Sequence, residues 1–280
     1  MKHSLLIGLS FLFLFFSCTE SKTRHINSVT GPIALDLIGL ALVHEHMLVD
    51  FIGSDSVSSN RYSHDKVIAK VLPYLLEVKK FGVKTIFDCT PSYLAKDPVL
   101  LKKLSEQSGI QIITNTGLYG TQKGKFLPEY AFTETAEQLA VRWISEYNNG
   151  IEGTGIKPGF IKISVNEDDP LGEMDAKLVK AAGLTFKETG LKIYSHTGTW
   201  NTAKQEVEIL QKIGVDPSAF VWVHAQAEED FQNYLEAAKL GVWISLDGIG
   251  WSLDEYVDRP NRMGEILCPL PISLKSLCPP

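Results

Sequence analysis

The chain has 280 residues, with 27 Lys plus Arg against 33 Asp plus Glu, 44% hydrophobic and 10% aromatic residues, and four cysteines. A net charge of −6 gives no electrostatic attraction for nucleic acid or an anionic membrane face, and cysteines at 18, 89, 268 and 278 make no disulfide framework. A length of roughly 260 residues without a leader suits one large α/β domain with a full core.

At the N-terminus Lys2, an apolar stretch over residues 5–16 and the pair Ser17-Cys18 read as an export signal. The stretch is too short for a permanent bilayer span, which needs roughly 20 residues. Phe15-Phe16-Ser17-Cys18 resembles a bacterial lipoprotein lipobox in its loose form, which makes Cys18 the expected lipidation site. The expected organisation is a signal peptide over 1–17, a polar tether over 18–30 that includes His25, a barrel domain over 31–264 and an atypical tail over 265–280. Loss of the leader with Lys2 moves the charge to −7. The expected location is the periplasm or cell envelope, anchored to the membrane by lipid.

Apolar, β-branched runs follow at 40–43, 83–88, 110–115, 160–165, 191–195, 220–223 and 242–247. Between them lie amphipathic stretches at 65–80, 98–108, 134–147, 174–189, 202–213 and 228–240, several stopped by glycine at Gly82, Gly109, Gly190, Gly214 and Gly241. Near-continuous hydrophobic strands separated by helices mean a parallel sheet covered by helices.

The first strand ends in His44-Glu45-His46. Residues two apart on a strand share a face, so both imidazoles can close on one cation, while Glu45 points the other way as a structural residue. Two more apolar strands end in histidine, at His196 and His224, so four of the chain's seven histidines stand at strand ends. In a barrel every strand ends at one rim and these groups converge; an open sheet spreads them across its width. The expected fold class is therefore α/β, a (β/α)8 TIM barrel, truncated or irregular at its eighth β/α unit.

Strand 4, Gly159-Phe160-Ile161-Lys162-Ile163-Ser164-Val165, is interrupted by a lysine that would cost several kcal/mol if buried unpaired. Three readings stand: an ion pair with Asp88 or Asp247, an ordinary charged active-site lysine, or a neutral amine that adds carbon dioxide to give a carbamate bridging two cations.

With these residues in order, the chain resembles the phosphotriesterase family of the amidohydrolase superfamily. The likeness runs from about Gly31 to about Trp251: His44-x-His46 on strand 1, Gly82-Val83-Lys84-Thr85-Ile86-Phe87-Asp88 on strand 2, Thr116-Gly117-Leu118-Tyr119 after strand 3, Lys162 on strand 4, His196-Thr197 on strand 5 and His224 on strand 6. The resemblance implies a metal-dependent hydrolase with His44 and His46 on the more buried ion, His196 and His224 on the other, and carboxylated Lys162 between them. The implied cofactors are two divalent ions, zinc being the default for imidazole-rich sites, with carbon dioxide held as the lysine carbamate. Such ions lower the pKa of a bridging water and polarise the carbonyl or phosphoryl oxygen under attack.

The family takes a further ligand and proton acceptor from an aspartate ending strand 8, and here the chain departs from the pattern. After Trp251 it offers Asp254 and Glu255, which read as part of the loop after strand 7, then Arg262-Met263-Gly264-Glu265 and a Pro-containing tail without a carboxylate. That tail reads as alien, of the kind a frameshift or early stop leaves. Asp247, ending strand 7, is the first candidate to take over the role or to hold a ligating histidine. Tyr119, Trp200 and Trp251 follow strands 3, 5 and 7 and are candidate walls of the substrate pocket, while His64 reads as an exposed residue before a helix. Three functions follow: a working hydrolase of an ester, lactone, amide or phosphotriester; a catalytically impaired member that still binds metal or ligand; or a surface-anchored binding lipoprotein. The expected partners are a small-molecule substrate and the membrane, with a homodimer left open and no nucleic acid.

Overall fold

Strands buried on both faces and joined by helices can pair only in parallel, and the chain builds its wall this way in sequence order. The computed structural model describes residues 24–248. After β1 (His25–Ser28) and β2 (Gly31–Ala34) come β3 (Leu40–Glu45), α1 (His64–Lys80), β4 (Val83–Asp88), α2 (Pro98–Ser108), β5 (Gln111–Ile113), β6 (Asn115–Thr116), α3 (Glu129–Thr133) and α4 (Ala136–Asn149). Then follow β7 (Phe160–Ser164), α5 (Glu173–Thr189), β8 (Ile193–His196), α6 (Trp200–Lys212), β9 (Phe220–Val223), α7 (Phe231–Leu240) and β10 (Trp243–Ile244).

Strand β4 pairs with β3 and β5, and β6 through β10 pair successively, all in parallel. The single run expected over 110–115 is divided at Thr114 into β5 and β6, so one stretch of chain belongs to both sheets. Parallel strands in chain order with helices outside are the arrangement of a (β/α) barrel. Two layers result. Phe87, Cys89, Ile113 and Phe160 pack with Ala41 and Tyr194 in one cluster, and Ile161, Ile163, Ile193 and Trp222 pack outward against α4 to α7.

The tether expectation is corrected at its C-terminal end. Residues 25–34 form an antiparallel hairpin, Val29 N–H donates to Ile112 O at 2.8 Å, and Ile26 packs on the cluster of Phe87 and Phe160. Only the strands it packs against supply the apolar partner that makes this segment a strand rather than a polar linker.

Helix ends follow local chemistry. Asp97 caps α2 by accepting from Leu100 N–H with Pro98 in the first turn, and Thr135 and Gln138 form a capping box on α4. The left-handed Gly109, Gly190 and Gly241 stop α2, α5 and α7.

Strand β10 is two residues long, shorter than the run expected over 242–247, and Trp243 and Leu40 on the flanks of the wall are 63% and 57% exposed. Among the described residues no strand stands between β10 and β3, yet the rim bridges that seam through a contact of His44 with Asp247. Trp251, Asp254, Glu255, the tail over 265–280 and the leader with Cys18 lie outside the described residues. Among the described residues no helix is long and apolar enough to cross a membrane.

Candidate metal centre

Six of the predicted side chains meet at the C-terminal rim. His44 and His46 come from the end of β3, Lys162 from β7, His196 from β8, His224 from just beyond β9 and Asp247 from just beyond β10, and all line one cavity of about 260 Å³. Larger clefts of about 610 and 370 Å³ lie outside the barrel, beside α4 and α2, and hold none of these groups.

The hydrogen bonds assign protons to three of the four imidazoles. Thr90 Oγ1 donates to Leu48 O at 3.1 Å, so it accepts from His46 Nδ1–H at 2.9 Å. Asp247 accepts from His44 Nδ1–H at 3.1 Å and from His224 Nδ1–H at 2.7 Å. Burial, then the nearby Lys162 charge, lowers His44 to about 4; burial, then His44, lowers His46 to about 3, although its edge opens to the cavity mouth. Both rings are neutral at pH 7, so neither Nε2 carries a proton. Those two Nε2 atoms lie 3.2 Å apart, a separation that suits two nitrogens bound side by side to one cation.

Lys162 is 1% exposed, and its Nζ has no hydrogen-bond partner among the described residues. Of the three readings of this lysine, the ion pair with Asp88 or Asp247 is absent: Asp88 accepts from Met47 and Thr90 backbone N–H groups, and Asp247 is occupied by the histidines. Burial lowers the amine's pKa, while Asp247 is held well below the carboxylate range, the donors His224 and His44 outweighing its own burial. The donor set of imidazoles, a carboxylate and an orphaned amine fits a divalent-metal centre. His44, His224 and Asp247 present ligand atoms within 4.8 Å of one another.

Backbone strain accompanies the site. His224 adopts the left-handed conformation at φ 61°, and Gly117, at φ 122°, passes so close to the Lys162 backbone that a Cβ there would overlap its carbonyl.

Two expectations are corrected. Glu45 lines the same cavity as its neighbours, because β3 changes register between Leu42 and Glu45 and strict alternation fails there. Trp200 does not wall the cavity: it opens α6, packs on Trp222 at 5.3 Å and donates its indole N–H to Glu236. Tyr119 does line it, with its hydroxyl 3.3 Å from His196 Nδ1, and His64 is partly covered by Asp97 at 2.6 Å.

Sequence reasoning missed Phe51, Pro91 and Leu94, which form the apolar wall, and Thr90, Ser245 and Glu206, which hold the histidines or their neighbours. Glu206 had a legible signal, since it interrupts the buried stripe Thr202, Ala203, Val207, Leu210 of α6.

Parallel strands whose ends gather four histidines, an aspartate and an amine without a partner among the described residues define a barrel protein of the metal-binding class. The profile of the Phosphotriesterase family matches residues 24–267, and the chain belongs to that family, a divalent-metal-dependent and generally binuclear group of hydrolases. It is 30% identical over 226 residues to an aryldialkylphosphatase of Saccharolobus solfataricus, covering 80% of this chain and 71% of that one. It is 27% identical over 276 residues to an N-acetyltaurine hydrolase of Xenopus tropicalis, covering 86% and 78%. A solved structure of a doubly substituted organophosphorus hydrolase from Deinococcus radiodurans superposes with a TM-score of 0.76 at 27% identity, covering 87% of this chain and 75% of that one. The fold is accordingly a TIM barrel.

Proposed function

We propose that the chain hydrolyses a neutral ester, lactone, amide or phosphotriester at two divalent ions, zinc by preference, with His44 and His46 on one side, His196 and His224 on the other, and the Lys162 carbamate between them. The observation that carries this reading is the Lys162 amine, buried among four histidines with no partner among the described residues. Its lowered pKa favours the neutral amine. That amine bonds the carbon of carbon dioxide and releases a proton, leaving an anion with two oxygens. When bound, the ions supply a nucleophilic water at neutral pH and a Lewis acid for the oxygen under attack.

The chain's own residues do the rest. Thr90 and Asp247 keep protons on Nδ1, so Nε2 of His44 and His46 stays open toward the cavity. Phe51, Pro91, Leu94 and Tyr119 give the substrate an apolar wall. With Lys162 as the carbamate, no lysine or arginine is left among the described lining residues to meet an anionic substrate, which favours an uncharged one.

A second reading, a chain that holds metal but turns over slowly, is favoured by Asp247, whose two oxygens already accept from His224, His44 and Ser245 with the Gln226 amide at 3.5 Å, so that its acceptor sites are taken. Elemental analysis together with turnover on lactones, aryl esters and an aryl phosphotriester tests both. Close to two ions per chain is expected; a folded protein with none sinks the proposal, and two ions with a rate far below about 10 s⁻¹ favour the second reading. We also propose export and a lipid anchor at Cys18, supported by the apolar stretch over 5–16 and Ser17-Cys18.

A further inference from the structure

Asp247 stands between imidazoles from two strands that are not neighbours in the wall, β3 and β9. Its Oδ1 accepts from His224 Nδ1 at 2.7 Å and lies 3.5 Å from Gln226 Nε2. Its Oδ2 accepts from His44 Nδ1 at 3.1 Å and from Ser245 Oγ at 2.7 Å, with the His224 backbone N–H at 3.4 Å. The two rings it joins are stacked, with centroids 4.6 Å apart and planes 25° from parallel. His46 is secured separately by Thr90.

We infer that Asp247 is a shared positioning residue that sets the tautomer and ring orientation of His44 and His224 together and so couples the two halves of the metal centre. This rests on the binuclear reading only for the word centre; the clamp itself is a property of the metal-free chain. A carboxylate is required because both contacts need an acceptor. The planar group offers one oxygen to each Nδ1–H, and Ser245 fills a remaining lone pair without competing for either ring. An asparagine of the same shape has one acceptor and one donor. It can keep one histidine and must turn the other to its Nε2–H tautomer, which puts a proton where an ion would sit. Outer carboxylates of this kind typically contribute 10–100-fold in metal affinity for a single histidine. Here one residue serves two histidines, so its loss weakens both ions together.

The test is long-range nitrogen–proton NMR of the histidine side chains in the metal-free full chain, followed by zinc titration. In wild type His44, His46 and His224 are expected as Nδ1–H tautomers. In Asp247→Asn one of His44 and His224 should change to Nε2–H while His46 does not, and the affinity of the zinc ion on that histidine's side should fall at least tenfold; in Asp247→Ala, which removes both acceptors, the affinity of both zinc ions should fall at least tenfold. A wild-type spectrum with Nε2–H at His44 or His224 overturns the inference without any variant, so a poorly folded Asp247→Asn leaves the test standing. Unchanged tautomers in Asp247→Asn, or loss of a single zinc ion in Asp247→Ala with the other unaffected, overturn it as well, the latter marking Asp247 as an ordinary ligand of one ion. Expected tautomers in a chain that binds no divalent cation would leave the clamp intact and sink the proposed function instead.

Discussion

Glu206 and Thr197 share a hydrogen bond directly beneath His196, in a cluster wholly out of water. Ser195 Oγ donates to Glu206 Oε2 at 2.6 Å, Thr197 Oγ1 lies 3.1 Å from Ser195 Oγ, and Thr197 Oγ1 contacts Glu206 Oε1. Thr197 has one hydroxyl proton and two acceptors. If Glu206 carries a proton, the three groups close a ring in which each donates once: Thr197 to Ser195, Ser195 to Glu206, Glu206 to Thr197. The ring grips both residues flanking His196 and ties the end of β8 to α6.

Burial, opposed by the hydroxyl hydrogen bonds, raises Glu206 to about 8 from an ordinary 4.5. Between those values the folded chain keeps a proton that the unfolded chain releases, so this group's contribution is present at low pH and declines as pH rises toward 8. Thermal melts of metal-free wild type and Glu206→Gln should show the wild-type advantage shrinking from pH 5 to 8. An advantage that grows with pH contradicts the protonated ring.

Lys162→Met should act in opposite directions on stability and on metal. The buried amine lacks a partner among the described residues, and an unsatisfied buried polar group costs about 1–3 kcal/mol, so denaturant unfolding of the metal-free variant should show a gain of that order. Metal content by elemental analysis should drop sharply, because the bridge between the ions is gone. Full occupancy in the variant would remove the carbamate reading.

Gly117→Ala should cost on the order of 3 kcal/mol, since φ at 122° disfavours any side chain and the new Cβ meets the Lys162 carbonyl, a backbone atom that cannot swing away. Circular-dichroism melts check this directly. A loss under about 0.5 kcal/mol would mean that β7 shifts freely at Lys162.

Cys18→Ser should move the protein from a membrane fraction to the soluble fraction after export, because a lipid chain contributes about 0.8 kcal/mol of membrane affinity per buried methylene. Wild type already soluble after export replaces the anchor with an ordinary cleaved leader.

Much of the wall was legible along the chain. The bounds of β4, α2 and β9 coincide with the expected runs, because a parallel strand buried on both faces is continuously apolar and a Pro start or Gly stop is a local signal. The four histidines and Lys162 were legible for a related reason: a polar residue inside or at the end of such a strand has no local explanation. Contacts made across the fold were not legible. His44 and Asp247 are 203 residues apart, and no periodicity encodes which Nδ1 a carboxylate will meet. The register shift that accompanies Glu45 at the cavity wall, the hairpin over residues 25–34 and the removal of Trp200 to the outer layer were likewise decided by packing against neighbouring strands and helices. Residue type and order set which groups arrive at the rim; the packing of strands and helices sets which atoms touch, because hydrogen-bond geometry depends on ångström-scale positions that only the assembled strands define.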